Sequence, residues 1–73
     1  MPQIKYRTET IKNITLTASV WETPEGWAAK GVATEDRGNE VREHTVYPPQ
    51  DYYPDKKAAG EAVWQVLKEG LVA

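Results

Sequence analysis

The residues able to do acid–base or metal chemistry are few and match no known catalytic or metal-binding motif. His44 is the only histidine and the sequence contains no cysteine, so neither a catalytic triad nor a His/Cys metal site is indicated. Four carboxylates lie around one predicted turn: Glu35, Asp36, Glu40 and Glu43. We interpret them as groups exposed to solvent, because nothing in the sequence indicates the cleft that a paired general acid and base would need. The sequence therefore predicts a protein that is not an enzyme and that has no metal site and no cofactor.

Composition predicts one small folded domain, residues 1–73. A chain of 73 residues buries only about 60% of the surface that its unfolded form exposes, so its core depends on few side chains. Three tryptophans and four tyrosines supply much of the apolar area, since each can bury roughly 150–250 Å². The absence of cysteine and of a long apolar segment predicts a cytoplasmic protein that does not enter a membrane.

Strand patterns fill the first two thirds of the chain. The clearest is 14–21, where apolar and polar residues alternate strictly, as in a strand with one buried face. The segment 4–10 alternates only weakly and predicts an additional strand, so the sheet has three or four strands. Pairing is expected to end at Pro48-Pro49, because proline has no N–H to donate. The predicted strands are 4–10, 14–21, 27–34 and 40–47.

The rest of the chain predicts a helix at about 55–69. It begins with either Pro54 in the first turn or Asp55 as the N-cap, and Gly70 suits a C-cap. We expect Gly60, inside the helix, to lie against a strand where no side chain fits. The alternative is that its cost of about 1 kcal/mol relative to alanine is simply tolerated. Before the helix, 48–55 is expected to close the bottom of the core with one tyrosine ring. Strands followed by a helix are typical of α+β domains, here an antiparallel sheet with the C-terminal helix packed on one face.

The segment 23–26, Thr-Pro-Glu-Gly, predicts a tight turn between the second and third strands. Proline fits the first central position of a type I turn, and the glycine after it fits the left-handed region. In that geometry Thr23 pairs with Trp27, so Trp27 lies on the same face as Trp21. The helix is then expected to cover the opposite, aliphatic face, which includes Ile14, Leu16, Ala18 and Val20.

A turn with an even number of residues is the alternative. Lys30 would then be free, whereas the odd number leaves it at the margin of the core. The residues that would face the helix are Trp27, Ala29, Gly31 and Ala33. We favour the odd number, which predicts an apolar patch beside a row of hydroxyls on the open face. The residues of this predicted binding surface are Trp21, Trp27, Thr17, Ser19, Ala29 and Gly31.

The strings GWAAKG and AAGEAVW, in a chain of antiparallel strands followed by a helix, carry a resemblance to known small domains. Residues 14–70 resemble the plant ethylene-response DNA-binding domains and the arm-site DNA-binding domains of phage integrases. They also look like short bacterial proteins of unknown function with the same element order. In the DNA-binding groups an arginine-rich sheet face enters the major groove. Here the corresponding face carries Thr15, Thr17, Ser19, Trp21 and Trp27.

The open face predicts a non-catalytic module that binds a protein partner, or a second copy of itself as a homodimer. Nucleic-acid binders usually show a basic stripe, because phosphate contacts supply much of their affinity. This chain has a net charge of −2, and the hairpin formed by the predicted strands 27–34 and 40–47 is acidic around its turn. The alternative function is a nucleic-acid-binding domain, with contacts expected from Lys5, Arg7, Lys12, Lys30 and Arg42.

Overall fold

A computed structural model describes the backbone of residues 2–72 and the side chains of residues 2–70. This part of the chain contains β1 (Ile4–Ile11), β2 (Ile14–Thr23), β3 (Gly26–Asp36), β4 (Val41–Val46) and α1 (Lys56–Val72). The four strands form one antiparallel sheet in the order β1-β2-β3-β4, and α1 packs on one face of it. The predicted α+β class, with an antiparallel sheet and a C-terminal helix, is confirmed.

The turn between β1 and β2 consists of two residues, Lys12 and Asn13. Lys12 has a φ of 57°, a left-handed conformation that costs a residue with a Cβ roughly 1–2 kcal/mol. The amide nitrogen of the Asn13 side chain donates to the Asp36 carbonyl at 2.8 Å, and the Asp36 N–H donates to the Asn13 carbonyl at 2.9 Å. These bonds hold the strained turn against the end of β3.

The turn between β2 and β3 differs from the favoured prediction. Thr23 pairs with Gly26 rather than with Trp27, so the predicted odd-numbered turn is wrong and the even-numbered alternative is observed. Gly26 stays in the ladder with a φ of 139°, and a Cβ placed on it would lie 2.9 Å from the Tyr53 carbonyl oxygen. Trp27 and Tyr53 exchange two backbone hydrogen bonds of 2.8 Å. A contact with a distant part of the chain therefore supports the tighter turn.

The core lies between α1 and the aliphatic face of β2, as predicted for that strand. Its buried residues are Leu16, Ala18, Val20, Ala29, Ala59, Val63, Trp64 and Leu67. Small residues on β3 let the helix approach closely, since a Cβ on Gly31 would lie 2.7 Å from two carbons of Leu67. Tyr53 packs against this cluster, which confirms that a tyrosine of the 48–55 segment closes the core.

Helix α1 begins as one of the two alternatives predicted. The Asp55 carboxylate accepts the Ala58 N–H at 2.7 Å, so Asp55 is the N-cap and the helix starts at Lys56. The predicted C-cap at Gly70 is wrong, because a capping glycine adopts a left-handed backbone and Gly70 continues the helix to Val72. A Cβ on Gly60 would lie 2.5 Å from the ring of Tyr6 on β1, which confirms the predicted close approach to a strand.

Candidate functional site

The face of the sheet opposite α1 is covered by no other helix or strand within residues 2–72. Residues directly opposite each other in an antiparallel pair share a face, so the observed registers bring hydroxyl side chains from all four strands together. Each of them is partly or fully exposed. We call them the hydroxyl array: Thr8, Thr10, Thr15, Thr17, Ser19, Thr34 and Thr45.

Hydrogen bonds between neighbouring strands order part of the hydroxyl array. The Thr8 hydroxyl donates to the Leu16 carbonyl at 3.0 Å, and its oxygen lies 2.9 Å from that of Thr17. Since the Thr8 proton is engaged, Thr17 is the donor of the second bond. Thr10 and Thr15 form a similar pair at 3.3 Å. The array thus presents fixed hydroxyl oxygens that can accept further hydrogen bonds from a molecule placed on the sheet.

An aromatic groove lies beside the hydroxyl array, near the end of the sheet that carries the β2–β3 turn. Its aromatic residues are Trp21, Tyr47 and Tyr52, and its polar lining includes Gln50 and Asp51. The groove encloses about 300 Å³. Tyr47 is 65% exposed and Tyr52 is 45% exposed, so these rings are available to a bound molecule.

The structure divides the six residues of the predicted binding surface between two faces. Trp21, Thr17 and Ser19 lie on the open face. Trp27, Ala29 and Gly31 lie on the face that α1 covers, where Trp27 packs against the core cluster. The predicted placement of these three residues on the open face is therefore wrong. A shift of one residue in register moves every side chain of a strand to the other face, and the two-residue turn produces this shift.

Sequence reasoning missed Thr8, Thr10, Tyr47 and Tyr52 as surface residues. A signal for the threonines was present, because the strings TET and TLT place hydroxyls two residues apart, on one face of each strand. Tyr47 continues the alternation of the predicted strand 40–47, on the face of Glu43 and Thr45, whereas the position of Tyr52 had no such signal. Their approach to Trp21 depends on the path of the irregular segment between β4 and α1, which no periodic pattern predicts.

The basic residues of the nucleic-acid alternative do not lie on one surface. Lys5 and Lys30 are on the open face, where they pair with the same serine of the hydroxyl array. Arg7 and Arg42 lie on the side of α1, and Lys12 is in the β1–β2 turn. The guanidinium of Arg7 stacks 4.8 Å from the centre of the Trp64 ring, so it helps to cover the core.

Titratable side chains on the side of α1 make isolated contacts. The Tyr6 hydroxyl donates to the Glu61 carboxylate at 2.8 Å, and this hydrogen bond is the main cause that raises the pKa of Tyr6. His44 lines a cleft of about 210 Å³ next to the C-terminal part of α1, with Glu35 as the other titratable group of that lining. Among residues 2–70, no three His, Asp or Glu side chains are grouped closely enough to hold a metal ion.

Within the region that the structure covers, no helix has the length and apolar character needed to cross a membrane. Comparison of the chain with protein-family models, with curated proteins and with solved structures finds no match. The surfaces of the molecule are therefore the basis for proposals about its function.

Proposed function

We propose that this protein is a non-catalytic protein-interaction module whose partner binds on the open face of the sheet. The observation that supports this most directly is the exposure of Tyr47 and Tyr52, 65% and 45%, in a groove beside the hydroxyl array. Tyrosine and tryptophan are enriched at the centres of protein interfaces, because each combines a large apolar area with one hydrogen-bonding group. An open, ordered face with such a groove suits a protein partner.

The side chains of the open face indicate the chemistry of that partner. Charged groups on the face are few: Lys5, Lys30, Asp36 and Glu43. Charged residues are depleted at interface centres, so a largely uncharged partner surface fits the hydroxyl array best. An anchoring apolar side chain, such as leucine or proline, would enter the groove between Trp21 and Tyr52, whose volume of about 300 Å³ exceeds that of one side chain.

Site-specific photo-crosslinking in the cells that express the protein tests this proposal. A photoreactive amino acid is placed at Thr17, in the middle of the hydroxyl array, and in a control at Gln65, which is exposed on α1. We expect a partner protein to crosslink from Thr17 and not from Gln65. A Tyr52→Ala variant should reduce the Thr17 crosslink by about tenfold or more, since truncating a central aromatic residue often costs 2 kcal/mol.

Three results would contradict the proposal. One is a partner that crosslinks equally from Thr17 and Gln65. Another is a Thr17 crosslink that the Tyr52→Ala variant leaves unchanged, because the groove would then have no part in binding. The last is the absence of any crosslinked protein at Thr17 when the module is present at its natural level.

Nucleic-acid binding remains the alternative, and the pair Lys5 and Lys30 beside Ser19 is the feature that favours it. A titration against duplex DNA and single-stranded RNA at about 50 mM and about 200 mM salt separates the two functions, because phosphate binding weakens steeply with salt. We expect no binding at either concentration. Binding at low salt that a Lys5→Ala/Lys30→Ala double variant abolishes would favour the nucleic-acid function instead.

A further inference from the structure

Strand β4 is an edge strand with an open outer edge. In an antiparallel ladder, successive residues direct their N–H and C=O groups alternately toward the neighbouring strand and away from it. The Arg37 N–H donates to the Glu40 carbonyl at 2.8 Å, so these two residues form a hydrogen-bonded pair. In the observed register the next residues of β4 that direct their backbone groups toward β3 are therefore Arg42, His44 and Val46. The residues that direct their backbone groups outward are then Val41, Glu43 and Thr45, followed by Tyr47.

The other edge strand, β1, is protected against pairing in a way that β4 is not. The β1 register shifts between Lys5 and Arg7, a β-bulge of the kind that interrupts an edge ladder. The extra residue, Tyr6, packs against Gly60. The β3–β4 register is continuous, with no shift, and β4 contains no proline. Its pairing surface ends only at Pro48, so seven residues, 41–47, are available.

We propose that two copies of this chain pair through β4 in an antiparallel arrangement, with His44 facing its counterpart at the two-fold axis. The two sheets then become one continuous sheet, and both helices lie on the same side of it. Backbone groups that face solvent in one copy bond to those of the other, giving about eight hydrogen bonds between the copies. A symmetric pair of this type is closed and does not extend into a fibre.

Charge excludes two of the registers that the geometry allows. Directly opposed residues of the two copies must lie on the same face of the joined sheet. Residues on one face of a strand are an even number of positions apart, so the residue midway between them lies on the two-fold axis and opposes its own counterpart. Arg42 or Glu43 on the axis would place two like charges directly opposite, which destabilises a strand pair. Thr45 on the axis would bring Val41 opposite Pro49, where no ladder forms.

The register with His44 on the axis pairs the exposed apolar residues of β4. Val41 is 64% exposed and Tyr47 is 65% exposed in the single chain, and each would oppose the other across the axis. Glu43 would oppose Thr45, and both direct their backbone groups outward. The interface covers only one strand edge and is smaller than a standard protein interface, so we expect a dissociation constant on the order of 10–100 µM.

The proposed contact between the two copies lies at the sheet edge rather than on the open face, and it does not depend on the proposed partner. The dimer would, however, join the two hydroxyl arrays into one wider open face. A failure of the dimer leaves the crosslinking result at Thr17 unaffected, and a missing partner leaves the dimer unaffected. The two proposals can therefore fail separately.

Proline substitution on each edge strand tests the pairing. Thr45 and Thr10 are both threonines of the hydroxyl array, both lie on edge strands, and by the ladder alternation both direct their N–H outward. Thr45→Pro should raise the dissociation constant by about tenfold or more, because it removes two hydrogen bonds and distorts the contact. Thr10→Pro should leave the constant unchanged. Sedimentation velocity over a range of concentrations measures both, and circular dichroism shows that each variant is folded.

Single cysteines test the register, since the natural chain has none. Two residues that oppose each other without backbone bonds have Cα atoms about 4.5 Å apart, which a disulfide can span. His44→Cys should therefore form a covalent dimer under mild oxidation. Thr45→Cys, one residue away, should not, because in the proposed register each residue 45 opposes Glu43 of the other copy, and two residues 45 oppose each other only with Thr45 on the axis.

Several results would overturn the proposal. A wild-type chain that remains monomeric at about 1 mM, well above the expected dissociation constant, excludes the dimer. Equal dissociation constants for Thr45→Pro and the wild type place the contact elsewhere. A covalent dimer from Thr45→Cys and none from His44→Cys shows a different register.

Discussion

Replacing Gly60 with alanine should lower the free energy of unfolding by about 2 kcal/mol. In a helix interior, alanine is more favourable than glycine by about 1 kcal/mol. Helix propensity alone therefore predicts that the substitution raises the free energy of unfolding. A Cβ on Gly60 would lie 2.5 Å from the Tyr6 ring, however. The ring would have to move away from α1, and its hydrogen bond to Glu61 would be lost. Urea denaturation, monitored by tryptophan fluorescence, measures the change in the free energy of unfolding.

Gly70 provides a matched control for the Gly60 substitution. It lies in the same helix, and apart from the adjoining helix backbone a Cβ on Gly70 would have no neighbour within 4 Å among the residues that the structure describes. Gly70→Ala should be neutral or stabilising by up to about 1 kcal/mol. In a Tyr6→Ala background, Gly60→Ala should also become stabilising, because the obstructing ring is gone. A destabilisation that persists in that background would contradict the proposed contact.

Truncation of Leu67 to alanine should lower the free energy of unfolding by about 3 kcal/mol. Leu67 is 3% exposed and lies in the core cluster against the backbone of Gly31, where a Cβ would lie 2.7 Å from its Cγ and Cδ1 atoms. Gly31→Ala should itself cost about 2 kcal/mol, since the buried leucine has little room to move. Equilibrium urea denaturation of each variant gives the values.

The double variant, Gly31→Ala with Leu67→Ala, distinguishes a direct contact from general weakening of the domain. The new methyl group at position 31 would fill part of the space that Leu67 leaves, so the double variant should be more stable than the sum predicts by about 1 kcal/mol or more. Val32→Ala is the control, because Val32 lies on the open face and should cost less than about 1 kcal/mol. Strict additivity of the two core substitutions would show that they do not touch.

The structural features that were predicted correctly are those that depend on residues close together in the chain. Strict alternation in β2 identified the face that α1 covers, and Leu16 and Val20 are fully buried there. Asp55 caps the helix as one of the two predicted alternatives, because a carboxylate before the first turn can accept the orphan N–H groups. The close approach at Gly60 was predicted because an interior glycine is unfavourable unless something lies against it.

The errors concern features that local patterns do not decide. Gly70 was predicted as a cap, but a glycine ends a helix only where the chain turns away, and here the helix continues. The β2–β3 turn was predicted with one residue too many, which put Trp27 on the wrong face. Both turn lengths are compatible with Thr-Pro-Glu-Gly, since glycine can serve either as a bulge residue or within the ladder.

The sequence by itself determined the class of the fold, the aliphatic face of β2 and, to within one residue, the start of the helix, because periodicity and capping act between residues close in the chain. Only the tertiary structure decided the register of β3, and with it which tryptophan faces α1. The backbone bonds between Trp27 and Tyr53 join segments far apart in the chain and support the two-residue turn. The same long-range path brings Tyr47 and Tyr52 to Trp21 and so forms the aromatic groove, a surface that no short stretch of sequence contains.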